Sequence, residues 1–257
     1  MTPPPCLLID FDGVINNTHA MLAHYGKTAG RLLAEQFGGT SIQWQEAHQQ
    51  VMRAMVTWSP EMFNSVGKDY NLFYREENRR WIAAMFRLLK RERPDELAAQ
   101  QVADDLRYAI PNAIRTPLPG AINALNTLSN AGHTLILTSA GCHAHCLGAL
   151  EALGVSHLFR RIYGVDLVNQ FKDSPTFFDK VLDEEDLIPA DCLAIDDRPN
   201  VLSWARRLGI RTAHIVPPGT EPDRAADFRA ASLAELASVL APAEPESLEP
   251  ASNQPVP

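Results

Sequence analysis

Two aspartates one residue apart follow a short apolar run near the start of the chain. The run is Cys6-Leu7-Leu8-Ile9, the pair is Asp10 and Asp12, and Gly13 follows directly. Residues i and i+2 of a strand point to the same side, so both carboxylates can face one small volume. Two like charges that close repel each other unless a cation, a proton or a phosphoryl group shares the site. The spacing indicates a reaction centre, and the alternative interpretation is a strand end with two solvated aspartates before a glycine turn.

Three later segments also carry polar side chains at the end of a predicted strand or in a loop. They are Leu135-Ile136-Leu137-Thr138-Ser139, the loop that contains Lys172, and Leu193-Ala194-Ile195-Asp196-Asp197. In a parallel sheet, ligands bind beyond the carboxyl ends of the strands. The pattern therefore predicts that all four segments meet at one edge of a sheet.

Taken in this order, with a long insertion after the first strand, the four segments resemble the motifs of the haloacid dehalogenase-like hydrolase superfamily. The first motif of that family is Asp-x-Asp, the second is a Thr or Ser that ends a strand, the third is a Lys, and the fourth is an acidic pair that ends another strand. The resemblance covers residues 5 to 20 and 115 to 217, and the segment between them corresponds by position to the helical cap of the family.

The resemblance implies a phosphoryl-transfer role for each carboxylate. Asp10 would attack phosphorus and carry a covalent aspartyl-phosphate, which divides one slow hydrolysis into two easier displacements. Asp12 would protonate the leaving alkoxide and then take a proton from the attacking water. The implied cofactor is Mg²⁺, held by Asp10, the backbone carbonyl of Asp12 and the pair Asp196 and Asp197. Asp197 aligns with the direct ligand of the family, and Asp196 binds the ion directly or through water.

The remaining implied site residues would contact the substrate. Thr138 and the backbone amide of Ser139 would hold phosphate oxygens, and Lys172 would offset the charge that builds on the nucleophile and the transferred group. Asn17, with its neighbours Asn16 and Thr18 where the cap begins, would help to position the leaving group. The implied partner is a small phosphorylated molecule.

Asp12 favours phosphate chemistry among the reactions of the superfamily, because halide leaves without protonation and a dehalogenase needs no acid at this position. We therefore expect a magnesium-dependent phosphomonoester hydrolase. Two alternatives stay open: phosphoglucomutase-like phosphoryl transfer, and a catalytically silent binding module of the same fold. The substrate is also open among sugar phosphates, nucleoside monophosphates and small acidic phosphates, and so is the oligomeric state.

A second group of chemically capable residues follows Ser139. In Cys142-His143-Ala144-His145-Cys146 the two thiols would share one helix face, yet no second ligand pair is visible for zinc. We interpret this segment as the start of a helix beside the phosphate site, with one histidine near the substrate.

Apolar runs alternate with helical patterns outside the insertion, which predicts an α/β fold with a Rossmann-like parallel sheet and helices on both faces. The expected strands are 6–10, 134–138, 161–165, 192–196 and 212–216. The expected helices are 121–130, 143–153, 174–182 and 201–208. We expect the core to comprise residues 1–17 and 116–240, an all-α cap 18–115, and a disordered tail 241–257, which is rich in Pro, Glu and Ser.

Length and composition agree with this interpretation. The chain has 257 residues and a formal net charge of −8, which argues against a nucleic-acid partner because phosphate backbones require a basic surface. The four cysteines form no secretory framework. The start of the chain lacks the basic segment of a signal peptide, and no apolar run is long enough to span a bilayer, so we expect a cytoplasmic protein with no membrane partner.

Overall fold

The computed structural model describes residues 5–67 and 69–241, and its centre is a six-stranded sheet in which every pair of neighbours is parallel. Its strands are β1 (Cys6–Ile9), β2 (Leu135–Thr138), β3 (Phe159–Tyr163), β4 (Cys192–Asp196), β5 (Arg211–Ile215) and β6 (Phe228–Ala230). Their order across the sheet is β3-β2-β1-β4-β5-β6. The predicted α/β fold with a parallel sheet is confirmed.

The central position of β1 explains its continuous apolar sequence. Leu7 pairs with Leu135 of β2 on one side and with Leu193 of β4 on the other. Leu7, Leu8 and Ile9 are all fully buried, because helices cover both faces of the sheet. The chain therefore leaves β1 at the middle of the sheet edge, where Asp10 follows.

Five helices pack on the sheet. In the sequence each of them lies between two strands, except the last, which follows the last strand. They are α5 (Ala121–Asn130), α6 (His143–Leu153), α7 (Pro175–Glu185), α8 (Pro199–Arg207) and α9 (Leu233–Leu240). Among them α9 packs on α5.

Four long helices are inserted between β1 and β2. They are α1 (Thr18–Phe37), α2 (Ser41–Ser65), α3 (Tyr70–Leu88) and α4 (Glu96–Asn112). Each begins at a residue whose side chain accepts a hydrogen bond from the backbone three residues later, namely Asn17, Thr40, Asp69 and Asp95. The helical insertion after the first strand is confirmed, whereas the division into domains at residues 17 and 116 stays a prediction.

The last inserted helix, α4, packs tightly on α6 beside the sheet. A Cβ atom at Gly148 would lie 2.4 Å from the backbone oxygen of Tyr108, so only glycine permits this approach. Asn112 Nδ2 donates to the Gly148 oxygen at 3.1 Å, and Arg115 Nη1 donates to the Ala152 oxygen at 2.6 Å. These contacts fix α4 to the sheet-bearing part of the chain.

Several observed bounds differ from the predicted ones. Strand β3 begins at Phe159 and ends at Tyr163, two residues before the predicted positions. Gly164, the next residue, lies against the backbone of Cys142 and His143, and a Cβ atom there would lie 2.3 Å from the His143 nitrogen. Strand β6 and helix α9 were not predicted at all.

Residues 242–257, nearly all of the predicted tail, lie outside the described residues. Within 5–67 and 69–241, no helix combines the length and the hydropathy that crossing a bilayer requires.

Candidate active site

Three predicted site residues lie at the carboxyl ends of adjacent strands. Asp10 follows β1, Thr138 is the last residue of β2, and Asp196 is the last residue of β4. All three are buried, with exposed fractions of 3%, 1% and 1%. The sheet thus brings together residues that are far apart in the sequence.

Lys172 joins these three residues from the loop between β3 and α7. Its Nζ donates to Asp10 Oδ1 at 2.8 Å, to Asp196 Oδ2 at 2.7 Å and to the Thr138 backbone oxygen at 2.6 Å. All three donor positions of the ammonium group are therefore used, which a buried cation requires.

Burial controls the ionisation of the acidic groups. Burial raises the pKa of Asp10 to about 7, although the charge of Lys172 opposes this shift. Burial, with a contribution from the Asp196 charge, also raises the pKa of Asp197. For Lys172, burial lowers the pKa, but Asp10 and Asp196 together raise it above the usual value. The centre therefore holds more negative charge than Lys172 alone compensates.

The carboxylates of Asp10, Asp196 and Asp197 fit a divalent cation. Each offers an oxygen, and these oxygens lie within 4.8 Å of one another. Both Asp196 oxygens already accept hydrogen bonds, Oδ2 from Lys172 and Oδ1 from the Arg198 backbone at 2.8 Å. Carboxylate oxygens are the ligands that Mg²⁺ prefers, so the donor set agrees with the predicted ion. Asp10 and Asp197 are the members with oxygens left for direct ligation.

Gly13 allows Asp197 to approach the loop after β1. Its φ is +79°, and a Cβ atom there would lie 2.2 Å from Asp197 Oδ2. Any other residue would carry both backbone strain and a clash with this carboxylate. The glycine directly after the aspartate pair is thus a requirement of the acidic cluster.

Asp12 lies outside the carboxylate cluster and has its own hydrogen bonds. Its Oδ1 accepts from Asn16 Nδ2 at 3.1 Å and from Thr18 Oγ1 at 2.9 Å. Asn16 is itself fixed, because its Oδ1 accepts from Thr116 Oγ1 at 2.8 Å. The turn into α1 therefore orients the Asp12 side chain, while its Oδ2 makes no hydrogen bond with the described residues.

A small cleft of about 190 Å³ opens at this edge of the sheet. It is lined by Asp10, Asp12, Thr18, Ser139, Ala140, Asp197 and Arg198. Thr138, the residue before Ser139 of this lining, has a buried Oγ1 without a hydrogen-bond partner among the described residues. An unsatisfied buried hydroxyl at this position is what a phosphate oxygen or a water would satisfy.

Asn17 does not line the cleft. Its side chain accepts a hydrogen bond from the Ala20 backbone at 3.0 Å and begins α1, so its predicted contact with substrate stays a prediction. Thr18, the next residue, lines the cleft instead. Arg198 was not predicted, because a single arginine after an acidic pair has no distinctive pattern.

A second and larger cavity of about 580 Å³ adjoins the cleft and shares Asp12 and Ala140 with it. Its walls include His145, and also four residues that sequence reasoning missed: Tyr25, His48, Trp81 and Arg107. These four lie on cap helices, where aromatic residues at helical spacing have the same pattern whether they fill a core or line a cavity.

Solved structures with the same fold include both phosphatases and dehalogenases. A HAD (haloacid dehalogenase-like) phosphatase from Thermococcus onnurineus is 18% identical, with a TM-score of 0.57 over 92% of this chain and 97% of that chain. The L-2-haloacid dehalogenase from Xanthobacter autotrophicus is 16% identical, with a TM-score of 0.56 over 94% and 100% of the two chains.

A third similar structure is the HAD-hydrolase YfnB from Bacillus subtilis bound to magnesium, 16% identical with a TM-score of 0.57 over 93% of this chain and 99% of that chain. Identities this low show the fold alone. No curated protein matches the chain.

The family model for haloacid dehalogenase-like hydrolases matches residues 5–209. That range takes in the aspartate pair, the whole helical insertion and the strands that end in Thr138 and Asp196. The match spans most of the chain and agrees with the four motifs and with the fold, so the chain belongs to the haloacid dehalogenase-like hydrolases.

Proposed function

We propose that this hydrolase cleaves phosphomonoesters of small molecules with Asp10 as the nucleophile and Mg²⁺ as the cofactor. The observation that carries the proposal is the cleft shared by Asp10 and Asp12. A nucleophile and a proton donor that face one small space are what ester cleavage with a poor leaving group requires.

Asp10 attacks the phosphorus atom, the ester bond breaks, and the phosphoryl group passes to the Asp10 carboxylate. Asp12 gives its proton to the departing alkoxide. In the second step Asp12 takes a proton from water, the water oxygen attacks phosphorus, and Asp10 is released with inorganic phosphate. Two observations support the role of Asp12: Asn16 and Thr18 orient it through Oδ1, and Oδ2 is free to exchange a proton.

Lys172 and Thr138 stabilise the phosphoryl group during these steps. Lys172 bonds to Asp10 and keeps a full positive charge beside the nucleophile while negative charge develops on the transferred oxygens. The unpartnered Thr138 hydroxyl and the Ser139 backbone supply hydrogen bonds to phosphate oxygens. These contacts cost little reorganisation because the side chains are already buried and fixed.

Asp10, Asp197 and the Asp12 carbonyl would hold Mg²⁺, and Asp196 would orient Lys172 and act through water. The bound ion would neutralise carboxylate and phosphate charge together, which is the electrostatic contribution expected of a divalent cation in phosphoryl transfer. The surplus of carboxylates over cations at the site supports this assignment.

Dehalogenation is the competing function in this family. It also uses an aspartate nucleophile, but halide needs no proton, so it gives no role to Asp12. The hydrogen bonds that hold Asp12 at the cleft favour the phosphatase. A mutase would use the same groups but would return the phosphoryl group to a second hydroxyl of the substrate. A catalytically silent module would bind a phosphorylated ligand without turnover.

The test is phosphate release from a panel of phosphomonoesters, with and without Mg²⁺, for the unmodified protein and for Asp10→Asn. Asp105→Asn, at an exposed position of α4, is the matched control. We expect metal-dependent release that only Asp10→Asn abolishes. The same proteins are assayed for halide release from 2-chloropropionate, and for phosphorylated isomers of the substrate. Halide release without phosphate release, isomer formation, or no turnover would each reject the proposal.

A further inference from the structure

The larger cavity is the feature that the proposed function leaves unused. It lies between the cap helices and the loop after β2, and it meets the catalytic cleft at Asp12 and Ala140. A substrate whose phosphate occupies the cleft would therefore extend its leaving group past Asp12 into this cavity. The walls of the cavity then decide which leaving groups bind.

Two arginines lie in these walls, and Arg107 of α4 is partly buried whereas Arg53 of α2 is exposed. Arg107 Nε donates to Asn78 Oδ1 and its Nη2 to Glu77 Oε2, both at 3.1 Å, and the guanidinium lies 5.1 Å from the centre of the Trp81 ring. Nη1 has no hydrogen-bond partner among the described residues and is not fully buried. Arg107 therefore keeps donors for a ligand after its protein contacts are made.

His48 of α2 offers a second donor because Trp81 fixes its tautomer. The Trp81 indole N–H donates to His48 Nδ1 at 3.1 Å, so in the neutral ring the proton is on Nε2. Burial, with a smaller contribution from the Arg107 charge, lowers the pKa of His48 to about 4, which keeps the ring neutral at physiological pH. Nε2 has no partner among the described residues and is not fully buried.

Tyr25 completes the polar wall and links it to the catalytic end. Its ring stacks between those of His48, at 5.8 Å, and His145, at 6.1 Å. Burial raises the pKa of the Tyr25 hydroxyl to about 12, so it is neutral and able to donate. Among the described residues that line this cavity, Arg53 and Arg107 are the cations and Asp12 is the only acidic residue. Glu77 is close by but is already bound by Arg107.

We propose that Arg107, His48 and Tyr25 form a binding site for a carboxylate, so that the substrate is a phosphomonoester whose alcohol part carries a carboxylate group. This assignment rests on the proposed phosphatase function, because that function places the phosphate in the cleft and the alcohol part of the substrate in the larger cavity. Leu22 and Met52 line the same cavity and would cover the carbon chain between the two charged ends. A neutral leaving group would leave the Arg107 donors unpaired in a partly desolvated site, which is the basis of discrimination.

The first test compares ω-phosphooxyalkanoates of increasing chain length with the matching carboxamides. We expect kcat/KM to favour the carboxylate by about 10- to 100-fold at the best length, as for one charge-assisted hydrogen-bonding contact. Arg107→Met combined with Glu77→Gln removes the cation without leaving its partner charged, and should abolish the preference. Arg87→Met, an exposed arginine of α3, should keep it. The ratio of two substrates on one preparation does not depend on the folded fraction.

The second test needs no turnover. Binding of the ω-hydroxyalkanoates is followed by ligand-observed NMR without Mg²⁺, for the unmodified protein, the Arg107→Met/Glu77→Gln variant and the Arg87→Met control. We expect binding that only the double variant loses. Equal binding by all three proteins, or no binding at any length, would overturn the carboxylate site.

The two tests also separate the two proposals. If both phosphate esters are hydrolysed equally and the double variant changes nothing, the phosphatase stands and the carboxylate site is wrong. If no ester is hydrolysed but the hydroxyalkanoates bind through Arg107, the carboxylate site stands and the phosphatase is wrong.

Discussion

Lys172 and Asp196 form an ion pair at 2.7 Å in which both side chains are only 1% exposed. The same ammonium group bonds to Asp10 at 2.8 Å. Two carboxylates thus depend on one buried cation, and burial makes each of them costly without it. The centre of the site is therefore linked to the stability of the fold.

Replacing Lys172 with methionine should destabilise the protein by about 3 to 5 kcal/mol, because two buried carboxylates lose their cation. Urea denaturation measures the change in the free energy of unfolding. Lys27→Met, at an exposed position of α1, should change it by less than about 0.5 kcal/mol. Equal stability of the two variants would show that the ion pair contributes nothing to the fold.

Replacing Asp12 with asparagine should slow the hydrolysis of alkyl phosphates far more than that of p-nitrophenyl phosphate. An alkoxide needs the proton that Asp12 supplies, whereas p-nitrophenolate leaves without it, and general acids contribute about 10²- to 10⁴-fold. The two substrates are compared by kcat/KM on the same variant, because kcat/KM reports the first phosphoryl transfer and not the later hydrolysis of the aspartyl-phosphate, in which Asp12 also acts. A uniform loss for both would remove the general-acid role and leave Asp12 a positioning residue.

The Gly13→Ala substitution should weaken magnesium binding. The added Cβ atom would lie 2.2 Å from Asp197 Oδ2 and would therefore displace this carboxylate. We expect the magnesium concentration for half-maximal activity to rise at least ~10-fold. Gly219→Ala is the matched control, since Gly219 has a φ of +80° and nothing within 4 Å of the added atom. It should lose about 1 kcal/mol of stability through backbone strain and keep its magnesium dependence. The same magnesium dependence in both variants would argue against Asp197 as a ligand.

Acid should destabilise the protein through two histidines in the walls of the larger cavity, His48 and His145. Burial lowers the pKa values of both His48 and His145 to about 4. The unfolded chain therefore binds more protons than the folded one between about pH 6.5 and pH 4, and stability falls as the pH falls through that window. Each histidine contributes roughly 3 kcal/mol over the full window.

His48→Gln tests this directly, because glutamine still offers an acceptor to Trp81 but does not titrate. The difference in the free energy of unfolding between pH 7 and pH 4.5 should be smaller in this variant than in the unmodified protein. His157→Gln, at an exposed position, is the control and should leave the difference unchanged. An unchanged difference in His48→Gln would show that His48 is not buried as a neutral ring.

Much of the fold followed from the sequence because buried parallel strands need continuous apolar residues. The apolar runs before Asp10 and before Asp196 are therefore best explained as buried strands of a parallel sheet. Strand β6 was missed since three residues are too few for a pattern. Helix α9 could have been found, because Ser232 and Glu235 have the spacing of a capping box and the structure shows Glu235 N bonded to Ser232 Oγ at 3.2 Å.

The predicted site residues could be found in the sequence, whereas the cap residues of the larger cavity could not. Several carboxylates such as Asp10 at strand ends that meet at one edge of a sheet repel each other unless a cation shares the site, so their joint presence in the sequence already indicates a function. Tyr25 and Trp81 carry no such cost, and only the relative placement of four helices shows that they face a cavity. Arg107 was hidden in the same way, as a single arginine that follows Asp104 and Asp105 on α4.

The close contact of α4 with α6 has a consequence for substrate length. Arg107 is carried by α4, and Gly148 with Asn112 fixes that helix to the part of the chain that bears Asp10 and Thr138. The distance between the phosphate-binding end and Arg107, the cation of the carboxylate site, is then constant even if His48 and Tyr25 move with α2 and α1 when a ligand enters. We therefore expect activity to peak sharply at one carbon-chain length and to fall when a single methylene is added or removed.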